Sequence, residues 1–281
     1  MADKTILVLA ATGKTGRRVA DLLAEKPVNV RAASRSSSHH PFNWNNRATW
    51  RPALEGVDAA YVVDRQDQSG HWDAEANLAE FIGLAASLGV RRLVVLQARV
   101  FERVGDKLLI AGEQTVRESG TEWTILRPNW FTQNYDEGVL LKDVRAGELR
   151  LPAGDAVEPW IDAGDIAEVA VEALLNEGHA GQIYELSGPR ALSIADVAEE
   201  ISQATGRTVR YFPNTPEQHI ARLLGRGVPI DYATFVCDLV GQMRSGRGAA
   251  VTDTVERVTG RPPRDFTDFA KAAAATGVWD A

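Results

Sequence analysis

Residues 9–17 form a glycine-rich turn whose spacing suits the binding of an anion. They read Leu-Ala-Ala-Thr-Gly-Lys-Thr-Gly-Arg and lie between a short apolar run and a segment with helical spacing. Glycine at position 13 lets the backbone approach a phosphate group, and glycine at position 16 lets the helix pack against the preceding strand. Amides at the start of that helix supply donors and partial positive charge. The turn therefore predicts a pyrophosphate site of the dinucleotide-binding type. The residues expected to form it are Ala10, Thr12, Gly13, Lys14, Thr15 and Gly16.

The match of this turn to known glycine-rich motifs is incomplete. Ala10 stands where the first glycine of a G-x-x-G-x-x-G pattern is expected. The residues from Gly13 to Thr15 also resemble the end of a P-loop, but that motif requires a glycine at position 8, where the sequence has Val8. A strand-to-helix turn that binds nothing is the alternative that remains.

The end of the predicted second strand indicates which nucleotide the turn would bind. In sites for NAD(H), an acidic side chain at this place accepts hydrogen bonds from the ribose 2′-hydroxyl. The sequence has Ser34 and Arg35 there and no carboxylate. An arginine pairs with a 2′-phosphate through charge-assisted hydrogen bonds, and Lys14 across the turn could add charge. We therefore expect NADP(H), with a solvated Arg35 in a loop as the alternative.

The elements that position these residues alternate along the first half of the chain. A short apolar run lies at 5–9, and strand-like segments lie at 29–33, 59–63, 92–96 and 123–126. Helical spacing is found at 15–24, 74–88 and 108–119. Uniformly apolar strands that alternate with helices predict a parallel sheet that is covered on both faces.

The pattern changes after Pro128. A strand and a helix are predicted within 161–175, a strand at 182–186 and a helix at 194–204 with Ser193 as its N-cap. From residue 215 onward the pattern is mostly helical. We therefore predict an α/β fold, in which a Rossmann-like doubly wound parallel sheet carries a smaller, mostly helical C-terminal cap. The expected division is an NADP(H)-binding domain at 1–130 and a substrate-binding cap at 131–281, partly intertwined with the sheet domain.

The carboxyl ends of the predicted strands place further residues in the site, because ligands of open parallel sheets bind there. Cofactor contacts are expected from Val63, Asp64, Gln97 and Pro128. Substrate contacts are expected from Trp72, Trp130, Phe131, Tyr135 and Trp160. Aromatic walls suit a flat or cationic substrate. Packing of these rings between sheet and cap is the alternative.

The composition excludes several functional classes. A net charge of −7 gives no general attraction to nucleic acid or anionic membranes. The single cysteine, Cys237, excludes an internal disulfide, and the five histidines show no metal-ligand spacing. The first residues show no signal-peptide pattern and no apolar run reaches about 18 residues, so we expect neither a signal peptide nor a membrane span. We expect a cytoplasmic monomer or homodimer that binds a small molecule, with no metal, membrane or nucleic-acid partner.

The chain resembles the NmrA-like group of atypical short-chain dehydrogenases/reductases over nearly its whole length. One marker is residues 119–131, which read Ser-Gly-Thr-Glu-Trp-Thr-Ile-Leu-Arg-Pro-Asn-Trp-Phe and are followed by Asn134. Other markers lie at 10–16, 54–59, 89–95, 162–167, 184–189 and 259–266. Residues 33–36 and 42–50 are similar to the branch that contains agroclavine and festuclavine dehydrogenases and their bacterial relatives. The resemblance implies a reductase acting on an iminium, enone, quinone or similar small electrophile.

The catalytic pair of ordinary short-chain dehydrogenases is missing from the sequence. Those enzymes use a tyrosine with a lysine four residues later, and none of the five tyrosines here has a lysine at that spacing. The lysine of isoflavone-reductase-like relatives would fall close to Leu109, and Lys107 nearby is the only catalytic candidate. Reduction of a ketone creates an alkoxide, for which an acid is valuable. Reduction of a cationic iminium needs only hydride transfer to a correctly oriented carbon.

These features leave two hypotheses. The first is an NADPH-dependent oxidoreductase that delivers hydride to an iminium, enone or quinone under the C-terminal cap. The second is a non-catalytic, NADP(H)-sensing regulator, because NmrA itself senses the cofactor without turning over a substrate. The missing tyrosine–lysine pair favours the regulator, whereas the aromatic pocket candidates and the closer branch resemblance favour the reductase.

Overall fold

The computed structural model describes residues 4–64, 74–97, 99 and 107–280, without the side chains of 74–75 and 107–111. Trp72 lies outside the described residues. No helix in these parts of the chain is long and apolar enough to cross a membrane.

A parallel sheet forms the centre of the described fold. Its strands are β1 (Thr5–Val8), β2 (Asn29–Ala32), β3 (Ala59–Val63), β4 (Arg92–Leu96), β5 (Glu122–Pro128) and β8 (Gln182–Leu186). They are hydrogen-bonded in the order β2-β1-β3-β4-β5-β8. This arrangement confirms the predicted doubly wound parallel sheet.

Helices cover both faces of the sheet. Four of them come from the first half of the chain: α1 (Lys14–Ala24), α2 (Trp50–Leu54), α3 (Ala74–Ser87) and α4 (Lys107–Glu118). The fifth, α6 (Ala163–Leu175), comes from the second half. On one face, Trp50 of α2, Phe81 of α3 and Val116 of α4 are buried with the strands. On the other face, Val19 of α1 and Ile166 of α6 are buried with them. Burial on both faces explains the apolar residues of the inner strands β1, β3 and β4, whereas β2 at the sheet edge is exposed or half-buried.

The remaining elements come mainly from the C-terminal half. The helices are α5 (Leu141–Arg145), α7 (Ile194–Thr205), α8 (Pro216–Gly225), α9 (Ile230–Gly241), α10 (Thr254–Thr259) and α11 (Phe266–Ala275). Short strands pair as β6 (Glu148–Leu149) with β10 (Arg210–Tyr211), and as β7 (Val157–Glu158) with β9 (Leu192–Ser193). Helices α5, α7, α9 and α11 share a separate apolar cluster, whereas Val255 of α10 is buried with the sheet. The separate cluster includes Tyr135, Trp160, Val197, Phe266 and Trp279.

Local sequence signals explain where the cap helices begin. Helix α7 begins after Ser193, whose hydroxyl accepts from the Asp196 amide while the Asp196 carboxylate accepts from the Ser193 amide. Thr215 and Gln218 form the same capping box at α8. Each box satisfies two backbone donors that a helix start otherwise leaves unpaired. The predicted cap at Ser193 is thereby confirmed.

Candidate active site

The glycine-rich turn lies between β1 and α1, at the point where the strand order reverses. Strand β1 is flanked by β2 on one side and β3 on the other, so the crevice beyond its carboxyl end is the switch point where such sheets bind ligands. Ala10 has a φ of +51°, and it is the only non-glycine residue with positive φ among the described residues. The left-handed conformation explains why a glycine is expected at this position.

Gly16 has no room for a side chain. A Cβ atom there would lie 2.2 Å from the Ala10 carbonyl oxygen and 2.7 Å from the Leu9 carbonyl oxygen. Gly13 is less restricted, with a Cβ position 3.1 Å from the same Ala10 oxygen, and its amide donates to that oxygen at 2.7 Å. The close approach of α1 to β1 that the sequence predicts at Gly16 is therefore a requirement of the fold.

The first turn of α1 presents donors suited to an anion. Its N-cap, Gly13, provides no side-chain cap, and the turn contains no acidic residue. Helix starts without such partners leave backbone amides available for a phosphate. The residues present therefore fit a pyrophosphate group, which Lys14 to Gly16 would hold by their amides.

Lys14 connects this turn to the segment that follows β5. Its ammonium Nζ donates to Asn134 Oδ1 at 2.9 Å, across 120 residues of sequence. Burial lowers the pKa of Lys14 from its ordinary value, against the opposing effect of Glu137 and Asp136. The contact with Asn134 was not anticipated from the sequence, although Asn134 was among the markers of the family resemblance.

Glu137 makes a second connection to α1. Its carboxylate pairs with Arg17 and, at 2.9 Å, with Arg18. Three cations in the first five residues of a helix oppose its dipole, and Glu137 offsets part of that repulsion. Burial opposes ionisation of Glu137, but the hydrogen bonds from both arginines outweigh burial and lower its pKa. Neighbouring Asp136 has its pKa raised to about 6, first by burial and second by the charge of Glu137.

The residues predicted at the strand ends lie along one edge of the sheet. Val63 ends β3 opposite Leu96, and the Gln97 amide continues the ladder by donating to the Leu126 carbonyl at 2.8 Å. Pro128 ends β5 and is buried. The Val63 carbonyl accepts a hydrogen bond from the Trp44 indole at 3.2 Å. Asp64 follows Val63 at the same edge and is half-buried.

The two residues predicted to follow the second strand, Ser34 and Arg35, differ in exposure. Ser34 is buried, and its carbonyl accepts from the Phe42 amide at 3.0 Å. Arg35 is exposed. Its guanidinium is therefore accessible to a ligand at the edge beside β1.

The predicted aromatic contacts divide into two groups. Trp130 and Phe131 are half-buried, whereas Tyr135 and Trp160 are buried in the cap cluster with their ring centroids 5.1 Å apart. The Trp160 indole donates to the Leu192 carbonyl at 3.2 Å. Burial of the last two rings is the packing role that the sequence left open as the alternative, and substrate contact by any of the four stays a prediction. Lys107 begins α4, and its side chain lies outside the described parts.

The strand order and the uncapped glycine turn at the switch point define the class as a dinucleotide-binding α/β protein. An NAD(P)H-binding family model matches residues 10–177, and an NmrA-like family model matches residues 105–259. The chain belongs to this NAD(P)H-binding, NmrA-like family. Membership confirms the family resemblance and the expected NAD(P)H class of cofactor.

Several curated relatives match over nearly their whole length. An uncharacterised oxidoreductase of Bacillus subtilis, YesF, is 35% identical, with 99% of both chains covered. The NAD(P)H azoreductase of Xenophilus azovorans is 35% identical and covers 96% of this chain and 98% of its own. Agroclavine dehydrogenase of Claviceps fusiformis is 31% identical, with 94% and 96% covered.

Solved structures share the fold at lower identity. The triphenylmethane reductase of Citrobacter superposes with a TM-score of 0.82 at 19% identity, over 96% of this chain and 99% of its own. NmrA, a negative transcriptional regulator solved with NAD, has a TM-score of 0.72 at 18% identity, over 99% and 98%.

Proposed function

We propose that the protein is an NADPH-dependent reductase that transfers hydride to a small electrophilic substrate of the iminium, enone or quinone type. The observation that carries the proposal is the uncapped turn from Gly13 to Gly16 at the switch point, together with exposed Arg35 shortly after β2, where the sequence has no carboxylate. The turn accounts for pyrophosphate binding, and Arg35 accounts for preference for the 2′-phosphate.

In this mechanism the protein chiefly binds and orients. The bound nicotinamide supplies the hydride. Amides at the start of α1 would hold the pyrophosphate and Arg35 would hold the 2′-phosphate, while Val63, Gln97 and Pro128 lie at the carboxyl ends of neighbouring strands. Correct orientation of the two reacting carbons accelerates transfer without a covalent intermediate. An acid is dispensable for a cationic substrate and for one whose reduced oxygen is only weakly basic.

The relatives support a reductase of electrophiles. The azoreductase and agroclavine dehydrogenase carry names of redox enzymes at more than 30% identity over nearly the full chain. A Streptomyces griseus relative at 33% identity is named as a reductase of a (4-alkanoyl-5-oxo-2,5-dihydrofuran-3-yl)methyl phosphate. The three names refer to redox reactions of three different compounds, which supports a shared redox chemistry with different substrates.

Titration with NADPH and NADH tests the cofactor preference. We expect tighter binding of NADPH, and we expect Arg35→Ala to weaken NADPH binding by about 10- to 100-fold, the worth of a charge-assisted hydrogen bond. NADH binding should change little. Arg51→Ala removes another exposed arginine, on α2, and serves as the matched control. Equal losses for both nucleotides, or none, would overturn the assignment of Arg35.

A non-catalytic NADP(H) sensor is the second candidate function. It is favoured by the missing tyrosine–lysine pair and by the structural likeness to NmrA. Consumption of NADPH with a panel of iminium, enone and quinone compounds separates the two candidates. Tight NADPH binding without turnover of any compound, together with capture of a protein partner, would support the sensor and contradict the reductase.

A further inference from the structure

Gln97 carries a buried hydrogen-bond donor that the fold does not use. The residue is 7% exposed, and its side-chain nitrogen Nε2 is enclosed with no partner among the described residues. Buried amide groups are nearly always hydrogen-bonded, and an unpaired one calls for an explanation such as a ligand. Its backbone amide, in contrast, is paired with the Leu126 carbonyl.

The position of Gln97 is at the carboxyl end of β4. It follows Leu96, which is in register with Val63 on β3 and Leu126 on β5. It shares a face with Leu93 and Val95, two residues of the cluster beneath α3 and α4. The dinucleotide turn lies two strands away, after β1, so the edge at β4 is on the side away from β2 and Arg35.

The arginines that lie close to Gln97 along β5 and along the chain form ion pairs with other residues. Arg127, the next residue after Leu126 on β5, donates to Glu113 of α4 at 2.7 Å through Nε. Arg99 pairs with Glu185 at 3.0 Å. A neutral amide beside satisfied ion pairs attracts a hydrogen-bond acceptor, and it offers nothing to a cation through Nε2.

We infer that the substrate carries a carbonyl oxygen conjugated to the carbon that accepts hydride, and that the Gln97 amide donates to this oxygen. The inference rests on the proposed reductase function and narrows its three substrate types to the two that carry a conjugated carbonyl, the enone and the quinone, of which the enone is taken for the test. An iminium cation has no acceptor at its reacting centre, whereas an enone develops negative charge on oxygen as it is reduced. A donor fixed where charge develops stabilises the transition state more than the ground state.

The step balances as a two-electron reduction. The β-carbon of the enone gains the hydride and forms a new C–H bond, while the nicotinamide is oxidised. The electron pair of the C=C bond shifts toward the carbonyl, and the oxygen becomes an enolate that accepts the hydrogen bond from Gln97. A proton from water then completes the saturated ketone. The amide stays neutral throughout, so no titratable acid is needed.

The test compares Gln97→Met with the wild type on a cyclic enone and a cyclic iminium cation of matched ring size. Methionine keeps the length and volume of the side chain but removes the donor. We expect the ratio of kcat for the enone to kcat for the iminium to fall by about 10²-fold, the usual effect of losing one such donor. Gln97→Glu places an acceptor there and should lower the ratio as well.

A binding measurement provides a readout besides activity. Calorimetry of 4-nitrophenolate, a stable oxyanion, with the NADP⁺ complex should show at least about tenfold weaker binding to Gln97→Met. Gln182→Met makes the same substitution at the exposed start of β8, at the opposite edge of the sheet, and should change neither quantity. An unchanged ratio and unchanged 4-nitrophenolate affinity in both Gln97 variants would overturn the inference.

Failure of the proposed function would look different. A wild type that oxidises NADPH with neither substrate contradicts the reductase itself. The 4-nitrophenolate titration then still decides the role of Gln97, because it requires no turnover. Wild-type affinity no higher than that of Gln97→Met would contradict the donor role on its own.

Discussion

At the scale of single residues, the glycine turn is held by two backbone constraints. Ala10 adopts a left-handed conformation, and Gly16 leaves no space for a Cβ atom. The need for glycine at position 16 could be predicted from the motif. The conformation of Ala10 could be predicted only from its place in the motif, because alanine itself does not favour positive φ.

Substitution of Gly16 by alanine tests this constraint. The added Cβ would approach the Ala10 oxygen to 2.2 Å, so the turn and α1 must move apart. We expect the free energy of unfolding to fall by about 1–3 kcal/mol, as for overpacking, and NADPH affinity to fall by at least about tenfold. Thermal unfolding and titration measure the two effects. Ala10→Gly, which suits the positive φ, is the control and should retain both; a fully stable, NADPH-binding Gly16→Ala would contradict the account.

Asp136 gives a prediction about pH. Its pKa in the folded protein is about 6, above the ordinary 3.8, because burial and Glu137 disfavour the charge. A raised carboxyl pKa means that ionisation lowers stability above about pH 6, and that this penalty disappears as the pH falls toward 3.8. Asp136→Asn should therefore raise Tm at neutral pH and lose its advantage at acid pH. The exposed Asp238→Asn is the control, and a pH-independent Tm difference for Asp136→Asn would count against the raised pKa.

At the scale of elements, the order of strands and helices could be predicted from the sequence. The side-chain contacts between elements far apart in the chain could not. Helix α1 was predicted at 15–24 and is observed at Lys14–Ala24, because its apolar spacing is a local signal. The contacts of Lys14 and Arg17 with residues after β5 join positions 120 apart. No periodicity encodes such pairs, and only the fold brings them together.

Glu137 tests what the connection to α1 does. Glu137→Gln removes the anion that offsets Arg17 and Arg18, so we expect stability to fall by about 0.5–1 kcal/mol, as for a partly exposed ion pair. The same change removes a negative charge beside the anion-binding helix start, and NADPH should bind about two- to threefold more tightly. Glu25→Gln lies past the other end of α1 and is the control. Weaker NADPH binding to Glu137→Gln would contradict the electrostatic account.

At the scale of the whole molecule, the sheet and the cap have separate apolar clusters. Helix α6 and strand β8 return from the second half of the sequence to complete the sheet. The sequence predicted a helix within 161–175 and a strand at 182–186, and their place on the central sheet follows from long-range packing. It did not predict that Tyr135 and Trp160 are buried in the cap. Nothing in the sequence next to either residue distinguishes a buried aromatic ring from one that lines a pocket.

Direct transfer of hydride is the central claim of the account. The most direct measurement uses NADPH with deuterium at the transferable C4 position and a cyclic enone, followed by mass spectrometry of the product. The account predicts one deuterium per product molecule, bound to the β-carbon, with one NADPH oxidised for each product formed. Oxidation of NADPH with no deuterium in the product, or tight binding of NADPH with no oxidation by any enone, iminium or quinone compound, would contradict it.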